Sequence, residues 1–256
     1  MLNIIVIIAG ISLINATLWA TFAWFKKNTS VVDMFWAMGP FITGWLLFAM
    51  HNSNFTQLII TVMVSIWALR LTGYLYYTRI KKGVVDKRYK KIEEKWSGNY
   101  FINILKHFYF QAIFQACLMS VFVATYSSSL NTFSNNSIII IILFILSIIG
   151  QSISDYQLYS YKKLNDGVCQ IGLWKFSRHP NYFFEFTIWV TISLIANSHL
   201  ISWLAPIGSY IIMRYITGPY TERLSLLKRG DEFRNYQKNV PMIFPSVRLI
   251  IESFYK

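Results

Sequence analysis

The run Arg178-His179-Pro180-Asn181-Tyr182-Phe183-Phe184-Glu185 brings a guanidinium, an imidazole, an amide, a phenol and a carboxylate into a chain otherwise rich in Ile, Leu and Phe. Pro180 suits the first turn of a helix, where a missing N–H goes unused. If a helix starts there, Arg178, Asn181, Tyr182 and Glu185 fall along one stripe, at i, i+3, i+4 and i+7. Side chains of those kinds on one face, at the mouth of an apolar helix, predict a bound polar ligand.

Other ionisable groups lie in or beside apolar runs, where charge is costly. Asp33 sits near the start of one such run. It reads either as a helix-capping acid, stabilising by about 0.3–1 kcal/mol, or as a pocket residue. Arg70 shares a helical stripe with Trp67, Tyr74 and Thr78, and its depth calls for an anionic partner, either an acid such as Asp33 or a ligand phosphate. Gln151, Asp155, Tyr159 and Lys162 share another face, followed by Asn165-Asp166-Gly167. That face is either a solvated helix end or a pocket wall. Glu222 opens a polar helix after Gly218-Pro219 and is placed to reach a site at the end of the last apolar run. Phe233, Tyr236 and the segment 240–245 can fold that tail back onto the membrane domain.

These residues must be positioned by apolar helices. With 55% hydrophobic and 14% charged residues, the chain is too apolar for an ordinary soluble domain. Seven runs are long enough to cross a bilayer: 3–25, 31–50, 56–78, 101–127, 137–160, 180–197 and 200–217. The loops 26–30, 79–99, 161–178 and 218–256 hold 21 of the 24 Lys and Arg residues, and the loops around 51–55, 128–136 and 196–199 hold none. The positive-inside rule then predicts an all-α, seven-helix integral membrane protein with its N-terminus outside and its C-terminus cytoplasmic. One membrane domain, residues 1–256, accounts for the whole chain, with the candidate cofactor-site segments mainly in 151–245.

The net charge of +13 needs no nucleic acid, because most of it lies in loops that face anionic lipid headgroups. The first apolar run reads as a membrane helix rather than a leader, since no basic n-region precedes it. No Cys/His spacing suits zinc, and neither a P-loop nor Gly-x-Gly-x-x-Gly is present.

Together, Asp155-Tyr156-Gln157, Gly172-Leu173-Trp174, Arg178-His179-Pro180-Asn181-Tyr182-Phe183, Glu185, Glu222 and the tail Tyr236…Pro241…Phe244-Pro245 resemble the steroid 5-alpha-reductase-like membrane proteins. The upstream elements Val32-Asp33-Met34-Phe35-Trp36 and Arg70-Leu71…Tyr74…Arg79…Gly83 fit the bacterial-type branch of that family. The resemblance covers about residues 31–245 and implies a reductase in a bacterial cytoplasmic membrane. Such an enzyme takes NADPH and reduces a carbon–carbon double bond conjugated to a carbonyl in a steroid-like or other lipid. It assigns the phosphates to Arg178, Lys162, Lys163 and Arg79, with Arg70, His179, Tyr182 and Glu222 in the same cofactor site. Asn181 and Glu185 would take the nicotinamide carboxamide, and Asp155 and Asn165 the adenosine or ribose hydroxyls. Trp67 stands where the steroid reductases carry the tyrosine that polarises the enone. Asp33, Tyr74 and Tyr182 are therefore the candidate catalytic residues. The segment around Arg178 is also similar to isoprenylcysteine carboxyl methyltransferase-like proteins, which implies S-adenosylmethionine. A lipid-binding protein of the same fold without turnover is the third possibility.

Overall fold

The computed structural model describes residues 1–127, 133, 135–196 and 200–255. Most of the loop expected at 128–136, and residues 197–199 at the junction of the last two expected spans, fall outside the described residues. Every regular element among the described residues is helical, with no strand. Among the described residues, five helices are long and apolar enough to cross a membrane: Leu2–Lys26, Thr29–Met50, Phe55–Lys82, Tyr100–Tyr126 and Asn136–Leu164. The chain divides into two packed units, Met1–Ser137 with Ile192–Ala205, and Ile138–Thr191 with Pro206–Lys256.

In the first unit, α1 (Leu2–Lys26), α2 (Val32–Met50), α3 (Phe55–Thr78) and α5 (Tyr100–Tyr126) pack together, and the short α4 (Lys87–Glu93) covers one end. Helix ends follow from local chemistry. Asn54 and Gln57 form a capping box at the start of α3, and Asn99 caps α5 through the Ile102 N–H. α1 stops at Lys27, whose φ of 49° is left-handed.

Pro40 lies inside α2, so the Trp36 carbonyl loses its donor four residues on. Gln115 of α5 fills that gap, with Nε2 donating to Phe35 O at 2.7 Å and to Trp36 O at 3.3 Å. The approach depends on Gly39, because a Cβ there would collide with the Gln115 amide.

In the second unit, α6 (Asn135–Leu164) has 30 residues. At about 45 Å it exceeds the roughly 30 Å hydrocarbon layer, leaving its last turns beyond the apolar stretch. α7 (Pro180–Ile195) has 16 residues. Its length of about 24 Å is short for a straight crossing.

The seventh expected span is not a separate helix. A 3-10 turn, Leu200–Trp203, leads into α8 (Leu204–Ile211), a π-helical stretch, Ile212–Thr217, and α9 (Gly218–Asn239), which is broken by a kink at Gly230, whose φ is 53°. The sequence reading ends one helix before Gly218-Pro219 and starts another after it. Instead, the widened π turn precedes the proline whose N–H is missing, and the helix continues. Gly218 also lies against Met213 O and Met242 Cε with no room for a Cβ. α10 (Val247–Phe254) follows the non-helical segment 240–246, which bends at 240 and 242–244.

Candidate functional site

The candidate residues fall into three constellations, one in the first unit and two in the second.

In the first unit, Asp33 occupies the first turn of α2, where a carboxylate complements the helix dipole. It accepts Arg79 Nη1 at 2.6 Å, Arg88 Nη2 at 3.0 Å and the Tyr89 hydroxyl. Asp86 pairs with the same two arginines, at 3.1 Å from Arg79 and 2.9 Å from Arg88, and caps α4 through the Arg88 N–H. Burial would raise the Asp86 carboxyl, but the hydrogen bonds and charge of Arg88 and the charge of Arg79 hold it at about 2. Burial, and then the negative charge of Asp33, push the Tyr89 phenol well above its ordinary value.

Two cations and two carboxylates thus cross-link α2 to the α3–α4 connection. Asp33, expected as a candidate acid, has both carboxyl oxygens engaged by these protein donors, Oδ1 by Tyr89 and Oδ2 by Arg79 and Arg88. Arg79 is likewise bound to Asp33 and Asp86 rather than open to a phosphate. Sequence reasoning missed Asp86, Arg88 and Tyr89, which lie in the basic loop read only as topology. Arg70 and Tyr74 lie on α3, with the guanidinium 5.8 Å from the phenol ring centroid.

The second constellation locks the tail. Arg178 precedes the helix that Pro180 starts, and His179 serves as its N-cap, its carbonyl accepting the Tyr182 N–H at 3.0 Å. Arg178 is therefore not on the α7 stripe predicted from spacing. It reaches Glu222 with Nε at 2.8 Å and Nη2 at 3.3 Å, and Nη1 caps the end of α9 at Gln237 O (3.0 Å) and Val240 O (2.6 Å). Each donating nitrogen is occupied by protein, which replaces the expected phosphate contact.

Glu222 also accepts His179 Nε2 at 3.1 Å and Gln237 Nε2 at 2.6 Å. Burial would raise this acid, but the hydrogen bonds from His179, Arg178 and Gln237 hold it at about 2. Burial lowers His179 below 6.5, leaving a neutral imidazole that donates to the carboxylate. Main-chain bonds from Arg178 N to Pro241 O (2.9 Å), His179 N to Met242 O (3.0 Å) and Ser246 N to Phe176 O (2.9 Å) seat the tail beside the start of α7. Gln237 and Ser177 belong to this lock and carried no periodic signal in the sequence.

The third constellation is a polar seam between α6 and α7. The helices run antiparallel, so three rungs face each other: Asp155 with Asn181, Gln151 with Glu185, and Ser147 with Thr187. Asn181 Nδ2 donates to Asp155 at 3.2 Å, Gln151 donates to Glu185, and Trp189 Nε1 donates to Glu185 at 2.9 Å. The i, i+4 spacing of Asn181, Glu185 and Trp189 puts all three on this face. Two amide oxygens in the seam, Asn181 Oδ1 and Gln151 Oε1, are buried and accept no hydrogen bond from the described residues. Buried polar atoms are nearly always paired, and an unsatisfied one costs about 1–3 kcal/mol. The seam thus holds two buried acceptors that no donor among the described residues satisfies.

Around it, Tyr182 stacks on His179 with centroids 4.7 Å apart and planes 8° from parallel. Lys162, Lys163 and Asn165 lie exposed at the end of α6, with Lys163 Nζ 4.6 Å from the Tyr159 ring centroid. Asn165 Nδ2 caps α6 at Tyr161 O, 3.2 Å away. Among the described residues, no three His, Cys, Asp or Glu side chains gather to hold a metal.

Several apolar spans and a buried polar seam define a multi-pass integral membrane protein with a candidate polar-ligand site. The family described as "Protein of unknown function (DUF1295)" matches residues 18–240, and the chain belongs to it. It is 26% identical over 273 residues to "Uncharacterized protein C594.04c" of Schizosaccharomyces pombe, a match spanning 91% of this chain and 77% of the yeast protein. No solved structure matches.

Proposed function

We propose that this protein is a membrane-embedded, NADPH-dependent reductase of a carbon–carbon double bond conjugated to a carbonyl in a steroid-like or other lipid. The observation that carries this reading is the pair of unsatisfied amide oxygens, Asn181 Oδ1 and Gln151 Oε1, beside Glu185 in the α6–α7 seam. A primary carboxamide brings two N–H donors and one acceptor, which suits a seam rich in amide oxygens. Lys162 and Lys163, exposed at the end of α6, would hold the phosphates, and Asp155 and Asn165 the sugar hydroxyls. When bound, NADPH supplies the hydride, while the protein fixes its position.

One phenol of the second unit, Tyr182 on α7, is the candidate to donate toward the substrate carbonyl oxygen, where negative charge develops. Arg178, His179 and Glu222 act in this account through the start of α7, by fixing where Asn181 and Glu185 project. The proposal includes seven membrane crossings in a bacterial cytoplasmic membrane, with the basic loops and the C-terminus cytoplasmic and the two short segments, α7 and α8 with the π stretch, completing the count. It rests on the resemblance to steroid 5-alpha-reductase-like proteins together with the seam.

The test is enone-dependent NADPH oxidation by the purified protein, using a panel of lipid enones. Turnover that is lost in Tyr182→Phe, with NADPH binding retained, supports the reading and assigns the phenol. Absence of enone-dependent oxidation across the panel, with NADPH bound, contradicts it.

A further inference from the structure

A cavity of about 610 Å³ opens at the end of α1, lined by Trp24, Phe25, Lys27, Glu93 and Tyr100. All five residues belong to the first unit, and the cavity lies where the apolar stretches of α1 and α5 end. It shares no residue with the α6–α7 seam.

Three features set it apart from an ordinary aromatic belt at a membrane boundary. Lys27 is the one non-glycine residue with positive φ among those described. Glycine is the usual occupant of that position at a helix end, so a lysine there is held against its own backbone preference. Strained backbone of this kind often marks a side chain with a task.

Among the described residues Lys27 forms no ion pair, although Glu93 lines the same cavity. The two opposite charges share one space without closing on each other. Glu93 accepts the Thr29 hydroxyl and the Tyr100 hydroxyl (3.4 Å) on Oε1, which leaves Oε2 for another donor.

Trp24 and Phe25 meet edge to face with centroids 4.8 Å apart, and both remain well exposed. An open indole and phenyl beside a carboxylate form surroundings for an ammonium group. The lysine in the same cavity provides for an anion. A purely anionic headgroup would face Glu93, and a purely cationic ligand would face Lys27. A ligand carrying both charges satisfies the two together.

We infer that this cavity binds the zwitterionic headgroup of a membrane phospholipid, with its ammonium against Glu93, Trp24 and Phe25 and its phosphate on Lys27. The experiment is native mass spectrometry of the full chain in mild detergent, titrated with short-chain phosphatidylethanolamine or phosphatidylglycerol. The proteins compared are wild type, Lys27→Gly and Glu93→Gln. Glycine suits the left-handed position, and Gln keeps the Oε1 acceptor, so both variants preserve the local fold; thermal unfolding in detergent checks this.

The wild type is expected to bind phosphatidylethanolamine at least about tenfold more tightly than phosphatidylglycerol, and each variant to lose at least about tenfold. Equal or tighter binding of phosphatidylglycerol would overturn the inference, as would unchanged binding in folded Lys27→Gly and Glu93→Gln. Displacement of the lipid by inorganic phosphate as readily as by phosphoethanolamine would reduce the site to a simple anion site, and would also overturn it.

Discussion

Replacing Arg178 by alanine removes the cation from a pair whose side chains are only 12% and 8% exposed. Glu222 would keep His179 and Gln237 but lose both guanidinium contacts, and the Gln237 and Val240 carbonyls would lose their donor. Removing one partner of a buried pair costs about 3–5 kcal/mol. If that cost falls on seating the tail, the released population rises by roughly a hundredfold to a few thousandfold. Hydrogen exchange reads this directly, because the backbone amides at positions 178, 179 and 246 face Pro241, Met242 and Phe176 across the same interface. Their protection should fall by about two to three and a half orders of magnitude, without any nucleotide present. Arg178→Lys should recover little, since an ammonium cannot reproduce the fork. Wild-type protection at those amides in Arg178→Ala would refute the assignment of Arg178 to the tail lock and reopen its phosphate role.

Further outcomes follow from the same structure. His179 and Glu222 both titrate lower in the folded state than their ordinary 6.5 and 4.5, so the unfolded chain binds more protons. Stability in detergent should therefore fall as pH drops below 6.5, and fall again between about 4.5 and 2; a melting temperature flat across that range would contradict the lock. Gln115→Ala removes the donor that serves Phe35 O and Trp36 O beside Pro40, and should destabilise the protein by about 1–3 kcal/mol in a denaturation assay. Lys27→Gly relieves a left-handed lysine and should stabilise the protein by about 1 kcal/mol; a loss of similar size would show that the lysine supports the fold.

The long apolar runs were legible because lipid crossing demands length and composition, and five of the seven expected spans appear as helices that meet both demands. The seam was partly legible too. Asn181 and Glu185 follow Pro180 at helical spacing, and Gln151 and Asp155 share a face of α6, so each half reads from periodicity alone. The pairing of the halves does not, since it depends on the antiparallel packing of two helices. Arg178 was misplaced for a simple reason: the helix starts at Pro180, and periodicity says nothing about a residue before the N-cap. Its partners Glu222 and Gln237 lie 44 and 59 residues away, and no local pattern links them. Asp33 likewise took its partners from a loop whose positive charge was sufficiently explained by topology. The continuation of the helix through Gly218-Pro219 escaped because a π-helical stretch leaves no compositional mark.

The most direct test of the central claim is equilibrium binding of NADPH and S-adenosylmethionine to the detergent-purified protein, side by side in wild type, Asn181→Ala and Glu185→Ala. The seam account predicts that NADPH binds the wild type, that both variants lose that affinity while staying folded, and that S-adenosylmethionine does not compete. NADPH binding equal in all three proteins would contradict the seam as its site. S-adenosylmethionine binding in place of NADPH would contradict the reductase reading and place the protein with the methyltransferases.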